Sequence, residues 1–113
     1  MHELSLAMAL VEQAAAVLDR EGASRVVSLT VRIGAWSGVD AEAFAFAFPA
    51  AAEGTPLAGA RLLIEPEPLR VHCQACDTLT EPADAFPCCA ACGAVEVEVR
   101  SGHAFDLRSL DVA

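Results

Sequence analysis

Leu4, Ala7, Met8, Val11, Ala14, Ala15 and Leu18 recur at helical spacing, while Ser5, Glu12 and Asp19 share the opposite side. This pattern predicts an amphipathic helix over residues 4–21, and Gly22 suits its C-terminal stop. The period then changes to two. Val27, Leu29, Val31 and Ile33 alternate with Ser28, Thr30 and Arg32, which predicts a strand with one buried face. Gly34 ends that strand and residues 35–38 form a turn. Asp40 is placed to cap a second helix that carries Phe44 and Phe48 one turn apart. Pro49 is expected to interrupt or kink it, with a resumption over residues 50–53 and a stop at Gly54.

Residues 61–65 read as a second strand, after which Pro66 and Pro68 mark a crossing between lobes. Val95, Val97 and Val99 alternate strictly. Ser101-Gly102 turns into a last strand through Phe105 and Leu107, with Leu110 and Val112 out of phase, so a bulge is expected near Ser109. The expected fold class is α+β: two helices on a small sheet, with a four-cysteine, zinc-ribbon-like lobe inserted before the last strand. The boundaries expected are 1–69 plus 101–113 for the body and 70–100 for the cysteine lobe.

Composition narrows the function. A chain of 113 residues buries one modest core, or two small lobes if one is stapled. The net charge of −9, with only 7 Lys and Arg, argues against nucleic-acid binding, which rests on cationic side chains. No stretch resembles a transmembrane span, and no basic segment precedes the first apolar run as a signal peptide would require. A cytoplasmic location follows as an expectation, and there spaced cysteines serve as metal ligands more often than as disulfides.

The cysteines form two knuckles, Cys73-Gln-Ala-Cys76 and Cys89-Ala-Ala-Cys92. Each points two thiolates at one spot, and the four together make a closed tetrahedral shell for Zn2+. A shell with no open position stabilises a fold and performs no chemistry. A four-thiolate iron centre and a pair of disulfides are the competing readings of the same spacing. Cys88 adjoins Cys89 and is a second way to close a ring with Cys92, but Cys89 restores the two-residue knuckle and precedes a turn at Gly93. His72 is either a replacement ligand or an exposed residue at a strand end.

Histidine at position 2 brings a different chemistry. The amine of Met1, the His2 amide nitrogen and the His2 imidazole can chelate one ion through fused rings, with the Glu3 amide, the Glu3 carboxylate or water at the fourth position. Such a nitrogen-rich, square-planar set suits Ni2+ or Cu2+ and suits zinc poorly. A solvated terminal residue is the plainer reading of His2. An enzyme has little support, since there is no Gly-rich phosphate loop and no nucleophile that spacing sets beside a histidine.

Met1-His2-Glu3-Leu4-Ser5-Leu6, Ile33-Gly34-Ala35-Trp36-Ser37-Gly38-Val39, Ala45-Phe46-Ala47-Phe48, the two cysteine pairs, and Ser101-Gly102 with residues 107–112 together resemble the HypA/HybF family. These are nickel-incorporation metallochaperones that mature [NiFe]-hydrogenases, and the resemblance spans essentially the whole chain. It implies that His2 and the amino terminus hold nickel, that Glu3 assists, and that Cys73, Cys76, Cys89 and Cys92 hold zinc. It also implies a nickel-handling GTPase and the hydrogenase large subunit as partners. The chain departs from the family pattern at Pro49, inside a helix that is usually uninterrupted. It has Ala90 where proline is frequent, an extra Cys88, and Ala104 where an acidic residue is usual.

Overall fold

The computed structural model describes residues 2–113. Within these residues two helices and six strands follow in the order α1 (His2–Glu21), β1 (Val26–Gly34), α2 (Ala41–Ala52), β2 (Arg61–Glu67), β3 (Arg70–Cys73), β4 (Thr78–Thr80), β5 (Val97–Ser101) and β6 (Phe105–Val112). One three-stranded sheet has the order β2-β1-β6 and a second has β4-β3-β5. The class is therefore α+β, two helices with small sheets. The chain groups into two compact units. One gathers the chain up to Arg32 with Asp40–Glu65 and Asp106–Ala113, and the other holds Ile33–Val39 and Pro66–Phe105.

In the first unit α1 and α2 pack on each other. The N-terminal helix is rich in Ala, Leu and Glu, which lose little freedom in a helix. It stops in a Schellman motif at Gly22, whose φ is +67°. There the Ala23 amide donates to the Leu18 carbonyl at 3.1 Å and the Gly22 amide to Asp19 at 3.3 Å. The buried stripe is Glu3, Ala7, Leu10, Val11, Ala14 and Leu18. This corrects the face expected from periodicity: Leu4 and Met8 are exposed, and a carboxylate lies inside. Alanine fills so many positions that two adjacent stripes read almost equally apolar, and packing against α2 selects between them.

Asp40 caps α2, its Oδ1 accepting the Ala43 amide at 3.1 Å. The helix runs unbroken through Pro49 to Ala52, contrary to the interruption expected. Pro49 lies in the last turn, so the single amide it lacks costs one hydrogen bond and no further turn has to be built on it. Phe44 and Phe48 are buried with ring centroids 6.3 Å apart. Truncating either to Ala would cost about 3–5 kcal/mol by the usual range for a buried phenyl ring.

β1 buries Leu29, Val31 and Ile33 as the alternation requires, but Val26 takes the inner position at its start and Val27 is exposed. The Ala113 amide donates to the Arg25 carbonyl at 3.0 Å, and the Gly34 amide to the Ala104 carbonyl at 2.7 Å. β6 therefore runs antiparallel to β1. Along β6 the burial phase slips at Ser109, which is exposed next to exposed Arg108.

The second unit is built on β3, which pairs antiparallel with β4 (Cys73 opposite Thr78) and with β5 (Cys73 opposite Val97). Val95 lies outside β5 and is exposed. Among the described residues, the buried apolar side chains of this unit are Ile33, Leu69, Val71, Cys73, Pro82 and Cys89. A core that small, with two cysteines in it, calls for a staple.

Candidate metal sites

Cys73 ends β3 and is buried, while Cys76 is exposed on the turn that leads into β4. That turn is closed by Asp77 in the left-handed region, φ 52°. Cys89 is buried and Cys92 exposed on a second turn. There the Gly93 amide donates to the Cys89 carbonyl and the Cys89 amide to Ala94, both at 2.8 Å, and Gly93 has φ 81°. Each knuckle thus contributes one inner and one outer sulfur.

The four Sγ atoms all lie within 4.8 Å of one another. Cys73 and Cys92 are 3.6 Å apart, as are Cys76 and Cys89. A disulfide needs about 2.05 Å, so neither contact is one. A tetrahedron with metal–sulfur bonds of about 2.3 Å has edges of about 3.8 Å. The donor set therefore fits a four-coordinate thiophilic ion such as zinc. Among the described residues it is the one cluster of three or more metal-ligating side chains.

Electrostatics agree with that reading. The Cys92 amide, helped by that of Ala91, faces the Cys89 sulfur and lowers its pKa to about 6. The Ala94 amide acts in the same sense on Cys92, but the neighbouring thiols of Cys73 and Cys89 outweigh it and push Cys92 up to about 11. The Cys89 thiolate forms easily, and Cys92 beside it then resists ionising until a cation joins them.

Cys88 is half-buried and lies outside the cluster. His72 points its Nε2 to the Asp77 carboxylate at 2.8 Å, which fixes the knuckle turn from the side. Two threonines support the same turns. Thr78 Oγ1 lies 3.4 Å from Cys76 Sγ, and Thr80 Oγ1 accepts the Ala90 amide at 3.1 Å. Proline at position 90 would lack that donor. Spacing alone gave no sign of either threonine, since their role depends on the β3–β4 pairing.

At the other end of the chain, His2 begins α1 with its side chain 57% exposed. Its Nδ1 is 3.3 Å from Glu3 Oε2. The same oxygen accepts the Asp40 amide at 3.2 Å, and this bond is the chief cause that holds the Glu3 carboxyl below its ordinary range. His2 and Glu3 are thus brought together, while Met1 lies outside the described residues. Asp40 escaped the reading of the sequence as a partner of Glu3. The stripe Glu3, Ala7, Leu10, Ala14 turns the carboxylate inward, but the sequence alone does not choose that stripe over its neighbour.

In the second unit, Glu67 Oε1 accepts the amides of Gly102 at 2.7 Å and Ala104 at 3.1 Å. Trp36 and His103 stack with centroids 5.2 Å apart. Gly34 passes so close to Gly102 that a Cβ would sit 2.0 Å from its carbonyl oxygen. Among the described residues, no helix is long and apolar enough to cross a membrane.

Comparison with known proteins places these sites in a family. A family model described as hydrogenase/urease nickel incorporation, metallochaperone, hypA matches residues 1–112. A hydrogenase maturation factor HypA from Synechococcus sp. is 42% identical over 112 residues, covering 99% of each chain. The factor of the same name from Deinococcus radiodurans is 62% identical over 68 residues, 60% of this chain and 57% of that one. The solution structure of the Ni metallochaperone HypA from Helicobacter pylori superposes with a TM-score of 0.69 at 25% identity, covering 99% of this chain and 97% of that one. The named family is one of metallochaperones rather than catalysts. The chain belongs to the HypA family of hydrogenase/urease nickel-incorporation metallochaperones.

Proposed function

We propose that this protein carries Ni2+ at its amino terminus and delivers it during maturation of [NiFe]-hydrogenase, with a separate Zn2+ held by Cys73, Cys76, Cys89 and Cys92. The observation that carries the reading is the meeting of an exposed His2 imidazole and the Glu3 carboxylate on the first turn of α1, in a chain of this family. The nickel ligands are the Met1 amine, the His2 amide and imidazole, and Glu3.

Helix geometry favours this. The first amides of an α-helix have no partner inside the helix. Deprotonating the His2 amide to bind nickel therefore breaks no helical hydrogen bond. Glu3 is held by Asp40 and stays beside His2, so the cargo site has one anchored side and one exposed side. A carrier needs that combination, because ligands on the exposed side can leave one at a time when the ion is handed over. Affinity alone favours Cu2+ over Ni2+ at such a site, so selectivity falls to partners and supply.

Zinc serves the fold. Structural zinc contributes about 10–16 kcal/mol in small peptides, enough to order a unit whose core is as sparse as the second one. The nickel-binding domain comprises residues 1–69 plus 101–113, and the zinc-binding domain 70–100. The partners are a nickel-handling GTPase and the hydrogenase large subunit, and the protein works in the cytoplasm. Extending the amino terminus by one residue tests the proposal. The extension displaces the amine from the His2 chelate, so nickel affinity falls at least tenfold while zinc content stays constant. Undiminished nickel binding would contradict it.

A further inference from the structure

Phe46 is 89% exposed, although the two phenylalanines that flank it in the Phe-Ala-Phe-Ala-Phe run are buried. It projects from the face of α2 opposite the core. An open groove of about 660 Å3 lies there, walled by Phe46, Ala43 and Ala47 from α2 and by Leu4 from α1. The carboxyl-bearing residues Glu3, Asp40 and Glu42 complete its lining. No lysine or arginine among the described residues pairs with Asp40 or Glu42. An apolar floor between two helices, edged among the described residues by carboxylates, has the form of a helix-in-groove acceptor.

We infer that this groove docks a partner's amphipathic helix whose apolar stripe is flanked by lysine or arginine. Charge selects the occupant. Opposite charges across a rim speed encounter and exclude wrong partners, whereas like charges repel. A second copy of this chain brings a net charge of −9 and the same acidic rim, so it is the wrong complement. Phe46 supplies the central aromatic anchor on which such interfaces concentrate their affinity. Docking requires no metal. Even so, the groove shares Glu3 with the His2 pair, so an occupant sits beside the proposed cargo site.

The probe is a dye-labelled 16-residue leucine/lysine peptide with all its leucines on one helical face, set against a scramble of the same composition. Both are titrated by fluorescence anisotropy into the zinc-loaded full chain, with backbone amide shifts recorded. The patterned peptide binds at least tenfold more tightly than the scramble, and its shifts concentrate at residues 3–4 and 40–47. Phe46→Ser and Glu42→Lys each weaken it at least fivefold, whereas Phe86→Ser, an exposed phenylalanine of the other unit, leaves it unchanged. Equal binding of the scramble, or full binding by both groove variants, overturns the inference. Sedimentation that reveals a homodimer dissociated by Phe46→Ser also overturns it, by assigning the groove to a second copy.

Discussion

The Glu3 carboxylate accepts the Asp40 amide at 3.2 Å, joining the first turn of α1 to the cap of α2 across 37 positions of sequence. The amide stabilises the ionised carboxylate, so its pKa in the folded chain lies below the ordinary 4.5. The contribution to stability is fully present above the unfolded value and is lost as the pH falls through the folded one. Thermal melts of wild type and Glu3→Gln should therefore differ at pH 7 and converge in strong acid. Parallel curves with a constant offset down to the lowest pH would show that the charge of Glu3 plays no part.

Gly34 is set against the Gly102 carbonyl, with no room for a methyl group. Gly34→Ala should cost about 3 kcal/mol or more, at the upper end of overpacking penalties, because backbone rather than a flexible side chain has to yield. Urea denaturation checks this. A loss under about 1 kcal/mol would mean that the close approach relaxes easily.

The Ala90 amide donates to Thr80 Oγ1, a bond that a proline at that position could not make. Thr80→Val should lower stability by about 0.5–1 kcal/mol through loss of one exposed hydrogen bond. In an Ala90→Pro background the same substitution should cost nothing, because the donor is already gone. A double-mutant cycle with no coupling would rule out the bond.

Removing the metal should separate the two units. Cys73→Ala, or chelation of wild type, should abolish zinc content and the amide dispersion of residues 70–100, while the helix signal of α1 and α2 persists. A Cys73→Ala chain that keeps one tetrahedral zinc and an unchanged second unit would refute this ligand set.

The cysteine site was legible because its geometry is local: two residues between thiols make a knuckle wherever the chain carries it. Asp40 as a helix cap and Gly22 as a helix stop were legible for the same reason. The Glu3–Asp40 link was not, because it arises only when α1 and α2 meet. The same packing buried Leu10 and Glu3 and left Leu4 and Met8 outside. Pro49 misled because its cost depends on distance from the helix end, and one lost bond in a last turn does not end a helix. The glycine at position 34 could be read as a turn, but its closeness to Gly102 belongs to the tertiary fold.

The measurement that tests the central claim most directly is a Ni2+ titration of untagged wild type and His2→Ala, with zinc measured on the same samples. Nickel bound only by wild type, with one zinc per chain in both, is the predicted result. Nickel held by His2→Ala at near-native affinity would contradict the terminal site.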